Sequence, residues 1–173
     1  MELTQFNALP PAEAIEVVSV WARVPAWAEA VVAARPFGSV EDLEAAADRL
    51  ARAWRRPELD AALAHHPRIG ERPRGEGAEA NASRREQSAM TDAAASVAEQ
   101  IAAGNASYEE RFGRVFLIRA AGRAPEEILA ELQRRLNNTA DAEVDEALDQ
   151  LRQIAMLRLR GDIDSDTSTG EPA

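Results

Sequence analysis

Apolar and polar positions recur along this chain with a period near 3.6, the repeat that keeps one face of a helix dry while the other meets water. In NALPPAEAIEVVSVWA a proline pair opens the pattern, and Ile15, Val18 and Trp21 or Ala22 fall on one stripe. VPAWAEAVVAARPF repeats it and stops at Arg35-Pro36, because a proline disfavours helical geometry in the residue before it. Ser39 followed by Asp42 resembles a capping box and predicts an amphipathic helix through Leu43, Ala46, Leu50 and Trp54. Pro57 predicts a short helix that ends near His65 and His66.

Further on, ASRREQSAMTDAAASVAEQIAAG predicts a helix of about six turns, closed by Gly104 just past its last turn. Ser107 and Glu110 predict another helix start, and FGRVFLIR is the one stretch with extended character. APEEILAELQRRLNN and DAEVDEALDQLRQIAMLRLR predict two more amphipathic helices, separated by Asn137, Asn138 and Thr139. GDIDSDTSTGEPA is too polar and acidic to build a core. The expected fold is all-α, a single-domain irregular bundle of about seven or eight helices over residues 1–161, with a disordered acidic tail over 162–173.

Composition narrows the chemistry. At 173 residues the chain fits one domain with a continuous core. Its net charge of -10 and pI near 4.8 repel phosphate backbones and anionic membranes, so no nucleic-acid partner is expected. No apolar run approaches the roughly 20 residues that span a bilayer. MELTQFNALPPAEA lacks a basic-then-apolar signal, and a cytoplasmic protein is expected. There is no Cys, and all 20 basic residues are Arg. Disulfides, thiolate chemistry, lysine Schiff bases and P-loops are thereby excluded. His, carboxylates, Arg and backbone dipoles remain.

Both histidines stand in LAHHPRIGERPRGEGAEANASRREQSAM. Pro67 pushes His66 out of helical geometry and so fixes the direction of its side chain. Ser83, Glu86 and Gln87 stand at i, i+3 and i+4, on one face of a helix's first turns, where backbone N–H groups favour an anion. Structural readings compete. Ser83 alone is a favoured helix cap and Glu86 its capping-box partner, while His65 and His66 suit a solvated helix end. A metal site on His65, His66 and Glu86 has little support, since adjacent histidines diverge and no third His or Cys exists. Arg158 continues the apolar stripe of Val144, Ala147, Leu148, Leu151, Ile154 and Ala155. A guanidinium aimed at the core demands a partner, either a structural carboxylate or a bound carboxylate or ureido ligand.

HHPRIGERP, SRREQSAM, FGRVFLIRAAGRAPEEILAELQRRLNN and IAMLRLR together resemble the 2-oxo-4-hydroxy-4-carboxy-5-ureidoimidazoline (OHCU) decarboxylase family, over nearly the whole chain except the tail. The two histidine and glutamate motifs are specific as a pair and weak singly. The resemblance implies an all-α, cofactor-free enzyme of urate degradation, acting on OHCU as its small-molecule substrate. It places the family's catalytic His on His66 and its partner Glu on Glu86. Pro67, Ser83, Gln87, Arg158 and the backbone near Ile118 fall on positions that line the family's substrate pocket, whereas His65 matches no family role. It also suggests a homodimer. The ending Glu-Pro-Ala in place of a peroxisomal Ser-Lys-Leu suits a bacterial cytoplasm. A metal-dependent ureide or amide hydrolase and an inactive helical interaction module stay open at this point.

Overall fold

The structure, a computed structural model, describes residues 1–64, 68–69 and 95–164. Among the described residues the fold is all-α: α1 (Leu3–Ala8), α2 (Pro11–Trp21), α3 (Pro25–Ala33), α4 (Val40–Ala51), α5 (Arg56–Leu63), α6 (Ala95–Phe112), α7 (Pro125–Arg135) and α8 (Ala140–Asp162). Prolines start α2, α3 and α7 in their first turn, where the missing N–H has no helical partner to lose. Ser39 caps α4, its Oγ accepting from the Asp42 N–H at 3.1 Å. Glu58 and Glu127 reach back to the N–H groups of Arg55 and Ala124 at 2.8 and 2.7 Å, closing the entrances of α5 and α7.

The chain forms two compact units. The first comprises Met1–Ala53 and the chain from Ile154 onward. Here α2 packs on α3 and α3 on α4. On α2 the buried stripe is Ala14, Val18 and Trp21, one position away from the expected Ile15, which is half-buried. Trp21 meets Phe6 at 5.9 Å and Trp27 edge-on at 6.5 Å between ring centroids. Both of these indole N–H groups have an acceptor, Asp162 Oδ2 for Trp21 and the Ala47 carbonyl for Trp27, each at 3.0 Å. Residues 162–164, expected in the tail, are tied down: Asp162 ends α8, Ile163 is buried, and Asp164 pairs with Glu2 in an isolated parallel bridge. The rest of the acidic stretch lies outside the described residues.

The second unit, Trp54–Gln153, holds α5, α6, α7 and the first part of α8. Its core gathers Ile101, Tyr108, Phe116, Ile118, Ile128 and Leu132. Gly104 does not end a helix. α6 runs through it to Phe112, and a Cβ there would lie 2.5 Å from Leu132 Cδ2, so glycine is what lets α6 approach α7. Ser107 starts nothing either; its hydroxyl donates back to the Ala103 carbonyl inside α6. Gly113, at φ 68, follows the helix end instead. Residues 115–120, the stretch of extended character, lie outside any helix or ladder.

Candidate active site

Of the candidate residues, His66, Pro67, Ser83, Glu86 and Gln87 lie outside the described residues, as do His65 and the loop between the two motifs. Ile118 and Arg158 are described.

Arg158 sits on the buried stripe of α8 in the first unit and is 8% exposed, as its register predicts. Its Nη1 donates to the Val20 carbonyl at 3.1 Å and to the Trp21 carbonyl at 3.5 Å. Those are last-turn carbonyls of α2, which have no helical N–H of their own and sit at the negative end of the helix dipole. The guanidinium is thus oriented by a helix terminus, an arrangement absent from the two partners weighed on sequence grounds.

Ile118, in the second unit, is 5% exposed within the 115–120 segment. The peptide groups on either side of it are held by buried side chains. Arg135 Nη1 donates to the Leu117 carbonyl at 2.8 Å, and Gln150 Oε1 accepts from the Arg119 N–H at 2.9 Å. Arg135 is locked in turn. Its Nε donates to Glu143 Oε1 at 3.0 Å, and its guanidinium lies 4.7 Å from the Phe116 ring centroid. Glu143 also accepts from Tyr108 Oη and, at 2.8 Å, from Asn138 Nδ2. Burial, with the hydrogen bond to Glu143, holds the Tyr108 phenol well above its usual pKa. Sequence reasoning missed this network, although the signal was there: Arg135 follows Ile128 and Leu132 on one stripe of α7, as Arg158 follows its own.

A cleft of about 520 Å³ opens in the same unit, lined by Asp60, Leu63 and Ala64 at the end of α5 and by Glu109, Arg114 and Val115. The Arg114 side chain, 8% exposed, reaches Asp60 at 3.5 Å. Arg68 donates to Glu109 Oε2 at 2.8 Å and holds that carboxyl below its usual pKa. Ala64 immediately precedes His65 in the chain, so the cleft wall carries the residue from which the first motif departs. Among the described residues no three His, Cys, Asp or Glu side chains group as a metal site, and no helix is long and apolar enough to cross a membrane.

The sequence model of one family, OHCU decarboxylase, matches residues 7–160. The chain belongs to the OHCU decarboxylase family. A 2-oxo-4-hydroxy-4-carboxy-5-ureidoimidazoline decarboxylase of Amia calva is 34% identical over 163 residues, covering 92% of this chain and 93% of the relative. One from Haloferax volcanii is 29% identical over 160 residues, covering 92% and 94%. The fold is that of a solved structure described as OHCU decarboxylase in the presence of (S)-allantoin, with a TM-score of 0.70 at 23% identity over 83% of this chain and 94% of the other.

Proposed function

We propose that this protein decarboxylates OHCU to S-allantoin and CO2 as a step of urate degradation. The family match carries the reading, because residues 7–160 take in both HHPRIG and SRREQ at the separation that makes the pair specific. In the substrate, the carbon bearing the carboxylate adjoins a ring C=N bond. When the C–C bond to the carboxylate breaks, CO2 leaves and the electron pair moves toward the imine nitrogen, which takes up a proton. The planar enol that remains loses its hydroxyl proton and gains one on the ureido-bearing carbon, giving the ketone of allantoin. The substrate is its own electron sink, so the reaction requires no cofactor. The protein's task is to align the breaking bond with the π system and to protonate one face.

His66, whose unperturbed pKa of about 6.5 suits proton transfer near neutrality, manages the proton. Glu86 orients the imidazole or shares in the transfer, and Pro67 fixes the direction of His66. The planar fork of Arg158 binds a substrate anion or carbonyl. Ser83, Gln87 and the backbone of Ile118 hold ureido or ring amides. The enzyme works as a cytoplasmic homodimer, for which light scattering should return twice the 18.8 kDa chain mass.

Purified, chelator-treated protein should speed the loss of CO2 from freshly generated OHCU in proportion to its concentration. A rate equal to spontaneous decay at every concentration defeats the decarboxylase reading, and activity confined to metal-loaded protein favours a hydrolase.

A further inference from the structure

Among the described residues neither the N–H nor the C=O of Ile118 has a hydrogen-bond partner, although the residue is 5% exposed. Buried backbone groups are nearly always paired, by protein, water or ligand. The groups immediately before and after Ile118 are paired, and by side chains from two different helices. Arg135 of α7 takes the Leu117 carbonyl, and Gln150 of α8 takes the Arg119 N–H. A trans peptide is planar, with its C=O and N–H pointing in opposite directions. Holding the Leu117 carbonyl therefore fixes where the Ile118 N–H points, and holding the Arg119 N–H fixes where the Ile118 carbonyl points. In both cases the free group is aimed away from the side chain that holds its plane.

We propose that Arg135 and Gln150 are positioning residues that orient the two peptide planes flanking Ile118, presenting its free N–H and C=O as a fixed donor–acceptor edge for a ligand with an adjacent carbonyl and N–H. That is the chemistry of a urea or cyclic ureide. The inference rests on the reading that Ile118 borders the substrate pocket, and it adds the residues that set the edge. Both anchors are themselves restrained. Arg135 is held by Glu143, and Gln150 is 8% exposed on a long helix, so the edge is set before ligand arrives and little ordering entropy is spent on binding.

The test uses the whole protein, labelled with nitrogen-15, and allantoin as the probe. On saturation the Ile118 amide should move downfield and gain protection from hydrogen exchange, while the Arg119 amide, bonded throughout, stays protected and shifts little. Gln150→Met removes the acceptor at similar side-chain length. It should deprotect the Arg119 amide in free protein and raise both the allantoin Kd and the substrate KM about tenfold, with kcat changed less than about threefold. Gln150→Glu restores an acceptor oxygen and should recover most of the affinity. Should Gln150→Met fail to fold, the wild-type titration still decides. Allantoin bound, or substrate turned over, with no response at Ile118 overturns the inference while the decarboxylase reading stands. A deprotected Arg119 amide with unchanged Kd and KM overturns it as well. Absence of both binding and turnover defeats the reading beneath it, and the ligand with it.

Discussion

Arg135 and Glu143, eight residues apart across the turn between α7 and α8, form an ion pair whose side chains are 1% and 0% exposed. Further partners surround the pair: Tyr108 and Asn138 donate to the carboxylate, while the guanidinium donates to the Leu117 carbonyl and lies over the Phe116 face. Arg135→Met should destabilise the protein by about 3–5 kcal/mol, since it strands a buried carboxylate. Arg135→Met/Glu143→Leu should recover much of that loss. Urea unfolding of the three proteins checks this, and a single variant within about 1 kcal/mol of wild type would show the pair to be solvated.

Gly104→Ala gains roughly 1 kcal/mol of helix propensity yet puts a methyl against Leu132, which is fully buried and has little room to turn aside. Overpacking of about 1–3 kcal/mol should win, so the variant melts below wild type. A higher melting temperature would mean that α6 and α7 are free to separate.

These two positions mark where the sequence was legible and where it was not. Helix entrances were readable because Pro11, Pro25, Ser39 and Pro125 act on their own backbone, within one turn. The role of Gly104 depends on Leu132, 28 positions on, and a local pattern reads such a glycine as a terminator. Arg135 was hidden by its charge: the apolar stripe of α7 identifies it only when a charged residue in register is counted as core. Arg158 was counted that way, and it is buried. The motifs on which the proposed chemistry rests, around His66 and Glu86, were the most specific signal in the chain and lie outside the described residues.

Arg134 donates to Glu131 and Glu146, and the consequence is a defined acid limb. The hydrogen bond from Arg134 lowers the pKa of Glu131. For Glu146, burial pushes the pKa up, but hydrogen bonds from Arg134 and Asn138 outweigh it and leave it low. Carboxyls with folded pKa values below the unfolded value of about 4.3 add stability above that pH and lose it as pH falls through the folded values. Arg134 is half exposed, so the whole effect is at most about 1 kcal/mol. Wild type should exceed Arg134→Met by that margin at pH 6 and by much less at pH 3. A constant gap in urea midpoints would place the cause elsewhere.

Arg158→Lys keeps the charge near the end of α2 but loses the planar fork. The protein should stay folded, with kcat/KM down about 10- to 100-fold, the worth of one charged hydrogen bond. Unchanged kinetics in the folded variant would make Arg158 a structural residue only.

The most direct measurement is the circular dichroism of allantoin formed during turnover, followed from freshly generated OHCU before the product racemises. Spontaneous decay protonates the planar enol from both faces. Wild type and His65→Ala should build up S-allantoin at a rate proportional to protein, and rate and optical excess should collapse together in His66→Ala. Racemic product from wild type at the spontaneous rate would contradict enzymatic decarboxylation, and one enantiomer at full rate from His66→Ala would remove His66 as the proton donor.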